Sequence, residues 1–205
     1  MGMSLDSYKN MISYVTKNGI DLKKSNIVEL GDQMMHPDLQ VFLDSKNAYF
    51  SRHMKSQGDK ILTIDIKGKI RGSLAEKIDL NQKIPDEYVN KFDLLTNFGT
   101  SEHVSDQYMV WKNMMSLVKV GGFLYHDIPF RGTWKNHGYV SYDYNMFTTL
   151  EKFGLKTLSI IEDHKKHARG KKEHILLWVI QKKEKDEFPT REELGTPWIS
   201  HKSII

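Results

Sequence analysis

Three histidines stand where a proton could be taken from a hydroxyl: His103, His126 with Asp127 beside it, and His137. Imidazole titrates near neutral pH, so it is the commonest general base for such a step. His137 leads as the base, because it sits in an aromatic stretch, residues 134–144, that can fold over a pocket. His126 serves a strand end equally well by structure alone, and Asp127 can orient a ring or act as base itself. His103 reads as a pocket-shaping residue more than as a catalyst. Three histidines and an aspartate could also ligate a metal, but their spacing matches no compact ligand motif, so no metal centre is expected. A second set of residues closes apolar runs: Glu29 with Gly31 and Gln33, Asp65, Asp79 with Leu80, and Asn97 with Gly99. An acid just past a buried strand can accept both ribose hydroxyls of a nucleoside through charge-assisted bonds. A glycine there lets backbone approach a ligand closely.

These residues need a scaffold that brings strand ends together. Leu5, Tyr8, Ile12 and Val15 recur at helical spacing behind Ser4, with Gly19 as the stop. Residues 26–30 and 61–66 read as buried strands rich in β-branched side chains. A polar stretch with Pro37 and a helix over about 47–57 lie between them. A short strand is expected near 77–80 and another at 92–97. A helix marked by Tyr108, Trp111, Met115 and Val118 should run to Gly121-Gly122, followed by a strand over 123–126. Met146, Phe147, Leu150 and Phe153 mark a last helix, and 155–161 with 174–181 form a terminal hairpin. Strands alternating with helices predict an α/β fold: one Rossmann-like sheet, mostly parallel, with a C-terminal antiparallel strand and helices on both faces. In such a sheet ligands bind beyond the carboxyl ends of the strands, where strand order reverses. The polar strand ends above are therefore the expected site.

In that order, the motifs resemble a class I S-adenosylmethionine-dependent methyltransferase of the small-molecule bacterial type. Ile27-Val28-Glu29-Leu30-Gly31 is similar to the family's first motif, and Asp65 to the acid that holds the cofactor ribose. Asp79-Leu80 is similar to the pair beside the adenine. Residues 92–104, ending Glu102-His103-Val104, resemble the fourth motif, and 117–129 the following glycine-glycine strand. Asn136-His137-Gly138-Tyr139 followed by Phe147 is similar to a bacterial branch of the family. The resemblance covers roughly residues 25–181 and implies S-adenosylmethionine as cofactor, bound by Glu29, Gly31, Gln33, Asp65, Asp79, Leu80, Asn97, Gly99 and His103. It also implies a small polar acceptor, such as a sugar or related metabolite. The chain departs from the family after Gly31, where Asp32, Gln33, Met34 and Met35 replace the usual further glycines.

The domain is expected to span 1–181, with 1–24 as N-terminal helix and linker, and 182–205 as a surface-docked or partly disordered tail. With 205 residues the chain can bury a full core without staples. It contains no cysteine, which excludes disulfides, thiolate zinc sites and cysteine nucleophiles. No apolar run spans a bilayer and no basic-plus-apolar leader is visible, so the expectation is a cytoplasmic protein without membrane partners. A net charge of +4 is too mild to announce nucleic-acid binding. The one dense basic cluster, 165–172, reads as a solvated hairpin tip. The rival readings are a nicotinamide-dependent oxidoreductase, disfavoured by the lack of a G-x-G-x-x-G loop, and a non-catalytic nucleoside-binding relative.

Overall fold

Ser4 opens the first helix, α1 (Leu5–Lys17), its hydroxyl accepting the Ser7 N–H at 3.2 Å. The structure, a computed structural model, describes residues 2–69, 74–134, 137–165 and 174–200. Strand β1 (Asn26–Leu30) follows, then α2 (Pro37–Phe42), α3 (Phe50–Ser56) and β2 (Lys60–Asp65). Two short helices thus stand where one was expected. Pro37 opens the first of them at a position where a missing N–H costs nothing. Strand β3 (Glu76–Lys77) is only two residues long, so Asp79 and Leu80 lie just beyond it in a loop.

Next come β4 (Phe92–Phe98), α4 (Gln107–Leu117), β5 (Val118–Pro129) and β6 (Val140–Ser141). Then follow α5 (Tyr144–Glu151), β7 (Leu155–Lys165), β8 (His174–Lys183), α6 (Arg191–Leu194) and β9 (Ile199–Ser200). Helix α4 stops at Leu117 rather than at the glycine pair, because β5 starts directly after it. Gly121 and Gly122 lie inside β5, at a bulge where the register with β4 shifts between Phe92 and Leu94. A Cβ on Gly122 would come within 2.7 Å of Val118 Cγ1, so the bulge requires a residue without one.

The seven-stranded sheet runs β3-β2-β1-β4-β5-β8-β7. Its first five strands are parallel, and β8 is antiparallel to both β5 and β7. The chain builds outward from β1 to β3 and then returns to β4 on the other side of β1. Strand order therefore reverses between β1 and β4, and their carboxyl ends frame the crevice. Register aligns those ends: Leu30 sits beside Ile64 and Asn97, and Asn97 beside His126.

Successive side chains of a strand point to opposite faces, which splits the core in two. Val28, Leu95 and Leu124 face a cluster with Trp111 and Phe147, while Ile27, Leu94 and Tyr125 face one with Met11, Val15 and Phe50. As far as β9, the described residues after β8 are docked. Leu194 is buried in the Trp111 cluster, with Phe188 and Trp198 packed against it, and β9 pairs with β6. The fully buried Lys183 ammonium is held by Asn90, the carbonyls of Met115 and Val118, and Asp186, at 2.5–2.9 Å. Four such partners offset the cost of burying a charge. Of the basic cluster, 166–172 lies outside the described residues; Lys165 pairs with Asp163 at 2.8 Å. Among the described residues, no helix is long and apolar enough to cross a membrane.

Candidate cofactor pocket and its histidine rim

A cavity of about 360 Å³ opens at the carboxyl ends of β1, β2 and β4. Gly31, Gln33, Asp65, Asp79, Leu80, Gly99 and His103 all line it. Four strand-end motifs, distant in sequence, thus meet at the reversal point of the sheet. Volumes of a few hundred Å³ are typical of small-molecule and cofactor sites.

The turn after β1 is tight for a reason. Gly31 has φ +71°, and a Cβ there would lie 2.3 Å from Thr100 Oγ1. Gln33 does what the missing glycines do not. Its amide donates to the Leu30 carbonyl at 3.0 Å and to Thr100 Oγ1 at 3.2 Å, stitching the β1 turn to the β4 turn. Thr100 in turn donates to the same Leu30 carbonyl at 2.8 Å. Glu29 lies behind this turn, fully buried, and accepts the Thr63 hydroxyl at 3.0 Å. Burial holds its carboxyl well above the usual range. It braces the turn and does not line the cavity.

Asp65 presents its carboxylate to the cavity wall with each oxygen accepting one backbone N–H, from Lys67 at 2.7 Å and from Asp32 at 3.3 Å. Each carboxylate oxygen accepts two bonds, so capacity remains for a ligand's hydroxyls. Asp79 is fixed by Asn81, whose backbone N–H and side-chain amide both reach Asp79 Oδ1 within 3.0 Å. Asn113 anchors the following stretch by donating to the carbonyls of Leu80 and Gln82.

On the other side of the crevice, Asn97 is buried and organises the turn rather than touching the cavity. Its Oδ1 accepts the N–H groups of Thr100 and Ser101, both at 3.1 Å, and its Nδ2 donates to Ser101 Oγ at 2.8 Å. Gln107 donates to the carbonyls of Ser101 and Val104, and the Tyr142 hydroxyl bonds Gln107 Oε1 at 2.7 Å. This network fixes a single 3-10 turn, Ser101–His103.

The stretch 137–142 packs directly on that turn. Tyr139 N–H donates to the Glu102 carbonyl at 2.7 Å. Gly138, at φ +72°, comes so close that a Cβ would lie 2.6 Å from the same oxygen. His137 is thereby set beside Glu102 and His103. Its Nε2 is 3.5 Å from Glu102 Oε1, and its ring meets that of His103 edge to face at 4.7 Å. Trp134 stacks on the His137 ring at 3.8 Å, fixing its plane. Burial lowers the His103 pKa below the usual imidazole value.

The structure does not bring His126 and Asp127 to the cavity. His126 is fully buried, its Nδ1 3.2 Å from Asn97 Nδ2 and its ring 5.1 Å from Trp111. Burial pushes its pKa down to about 3, so the ring is neutral. Asp127 is the next residue of the same strand and points to the opposite face, where Ser7 of α1 donates to it at 2.5 Å. Burial pushes that carboxyl up to about 7. Sequence reasoning quoted Glu102 only inside the string ending Glu102-His103-Val104 and gave it no role of its own. It also passed over Thr100 and Asn81, whose roles depend on contacts that chain order does not reveal.

No protein-family model matches the chain, and no curated protein matches it in sequence. Its fold, however, is shared with solved methyltransferases. One is the N-methyltransferase NodS from Bradyrhizobium japonicum, at TM-score 0.56 and 14% identity over 87% of this chain and 97% of that one. Another is the 1,6-didemethyltoxoflavin-N1-methyltransferase of Burkholderia thailandensis, solved with 1,6-didemethyltoxoflavin and S-adenosylhomocysteine. It matches at TM-score 0.54 and 9% identity, over 87% and 77% of the two chains. A third is a 16S rRNA (adenine(1408)-N(1))-methyltransferase from Catenulisporales acidiphilia, at TM-score 0.50 and 8% identity over 83% and 90%. The chain has the Rossmann-like fold of the class I S-adenosylmethionine-dependent methyltransferases.

Proposed function

We propose that this protein is an S-adenosylmethionine-dependent methyltransferase whose acceptor is a small polar molecule, a sugar or related metabolite. The observation that carries this reading is the meeting of Gly31, Asp65, Asp79 and Gly99 around one cavity at the reversal point of the sheet. In this reading Gly31 and Gln33 border the methionine portion, Asp65 accepts the ribose hydroxyls, and Asp79 with Leu80 borders the adenine. Glu29 and Asn97 hold the two turns in shape from behind. S-adenosylmethionine supplies an already activated methyl, so the protein mainly aligns the reactants and excludes water. The acceptor enters over the rim of Glu102, His103 and His137, and its proton leaves through that rim, with His137 assigned to the step. The test is turnover of S-adenosylmethionine against a panel of hydroxylated metabolites, read by mass spectrometry. The account expects acceptor-dependent gain of a methyl group, with no comparable binding of NAD. Tight S-adenosylhomocysteine binding with no turnover on any acceptor would instead favour a non-catalytic relative.

A further inference from the structure

Glu102 is fully buried, yet no hydrogen-bond donor reaches either of its carboxylate oxygens among the described residues. The same holds for His137 Nε2, which is shielded from solvent and faces Glu102. A buried carboxyl without a donor is costly unless something else satisfies it. His103 Nε2 stands 3.8 Å from the same Glu102 oxygen, and one ligand atom from each of the three residues lies within 4.8 Å of the others. We propose that Glu102, His103 and His137 bind a divalent transition-metal ion at the rim of the cavity.

The dimensions fit. Zinc bonds of about 2.0–2.1 Å in a tetrahedron put ligand atoms roughly 3.3 Å apart. Two of the three separations, 3.5 and 3.8 Å, are within small side-chain adjustments of that spacing, and the imidazole pair lies within 4.8 Å, so the two rings must draw together to close the site. Two imidazoles and one carboxylate suit ions of the zinc, cobalt and iron class, and leave positions open for a substrate. The site is also built rather than accidental. The Tyr139 N–H bond and the close approach of Gly138 clamp the His137 stretch onto the Glu102 turn, and Trp134 holds the imidazole plane. Glu102 and His103 in turn rest on the network of Asn97, Gln107 and Tyr142.

The site's use rests on the methyltransferase reading, although ion binding does not. His103 lines the cavity, so an oxygen of the acceptor could bind the ion next to the methyl donor. Such an ion lowers the pKa of a bound hydroxyl. The hydroxyl proton would pass to water, the oxygen–methyl bond would form as the sulfur–methyl bond breaks, and the sulfur would keep the electron pair. His137 then serves the step as a ligand rather than as a free base. A four-coordinate ion leaves one position for the acceptor oxygen, whereas a six-coordinate ion of the iron or cobalt class leaves room for both oxygens of a vicinal diol or α-hydroxy acid.

The experiment titrates tag-free, chelator-stripped protein with Co²⁺, read by visible absorption, and with Zn²⁺ by competition. S-adenosylhomocysteine is titrated in parallel. The proposal expects one equivalent bound, with affinity at least about tenfold weaker in His103→Ala and His137→Ala. Glu102→Gln, if it folds, should behave likewise. Failure of the wild type to bind either ion, or wild-type affinity in both histidine variants, overturns the metal site, whatever S-adenosylhomocysteine does. Loss of S-adenosylhomocysteine binding alone would overturn the methyltransferase reading and leave the metal site standing.

Discussion

The two sides of the crevice are built by different rules. On the β1–β2 side, each functional group sits at or just past the end of its own strand, and its partners are mostly a few residues away or on the neighbouring strand. Gly31, Asp65 and Asp79 belong to this side. On the β4–β5 side, His103 lines the cavity, and Glu102 and His137 meet behind it only because 137–142 folds back across the Ser101–His103 turn. Glu102 and His137 are 35 positions apart in sequence, and the contact depends on a glycine at 138 and on a turn ordered from beneath. The first side is a consequence of sheet topology. The second is a tertiary clasp that a single residue can spring.

The largest expected effect breaks the second side. His137→Ala should lower turnover by about 10²–10⁴-fold, the usual share of assistance to a proton transfer, whether the ring takes the proton or holds the ion that acidifies the acceptor, while S-adenosylhomocysteine affinity stays near that of the wild type. A loss of less than about threefold, below the low end of that range, would remove His137 from the chemistry.

Gly138→Ala should act more gently on the same clasp. The side chain would need the left-handed region and would strike the Glu102 carbonyl. A cost of about 1–3 kcal/mol in stability is expected. Turnover should fall while cofactor affinity is spared, and calorimetry and kinetics on the same preparation would show whether the two sides separate in this way.

Asp127 gives a smaller effect away from both sides. Its carboxyl is neutral in the fold up to about pH 7, whereas in the unfolded chain it ionises near about pH 3.9. Its contribution to stability is therefore fully present below the lower value and is lost as pH rises through the upper one. Asp127→Asn should flatten the fall in stability between those values and melt higher than the wild type at pH 8. Parallel melting curves in the two proteins from pH 4 to 8 would contradict this.

What was legible in the sequence divides along the same line. Strand ends could be read because β-branched runs stop at polar residues or glycines, and in a parallel sheet those stops share one edge. Asp65, Asp79 and Gly31 were found that way and do line the cavity. Asn97 and Glu29 share the same grammar but point behind the turns, because a strand's period of two decides facing and one residue of uncertainty reverses it. His126 and Asp127 illustrate this most sharply: adjacent in sequence, they are buried on opposite faces of β5. Glu102, quoted only as part of the Glu102-His103-Val104 string, was given no role because nothing local marks it. Its significance lies in the two imidazoles brought to it and in the missing hydrogen bonds, both of which are properties of the fold. Helix α2 was missed because Pro37 reads as a breaker until it is seen to occupy the first turn. The bulge at Gly121-Gly122 was mistaken for a helix stop for a similar reason.

The central claim is that the β1–β2 side of the cavity holds the nucleoside of S-adenosylmethionine. Calorimetric titration with S-adenosylhomocysteine, in the wild type and in Asp65→Ala, tests it most directly. The account predicts binding by the wild type and a loss of roughly 1.5–3 kcal/mol in the variant, about tenfold to a hundredfold in affinity. Unchanged affinity in a folded Asp65→Ala protein, or no binding by the wild type, would contradict it.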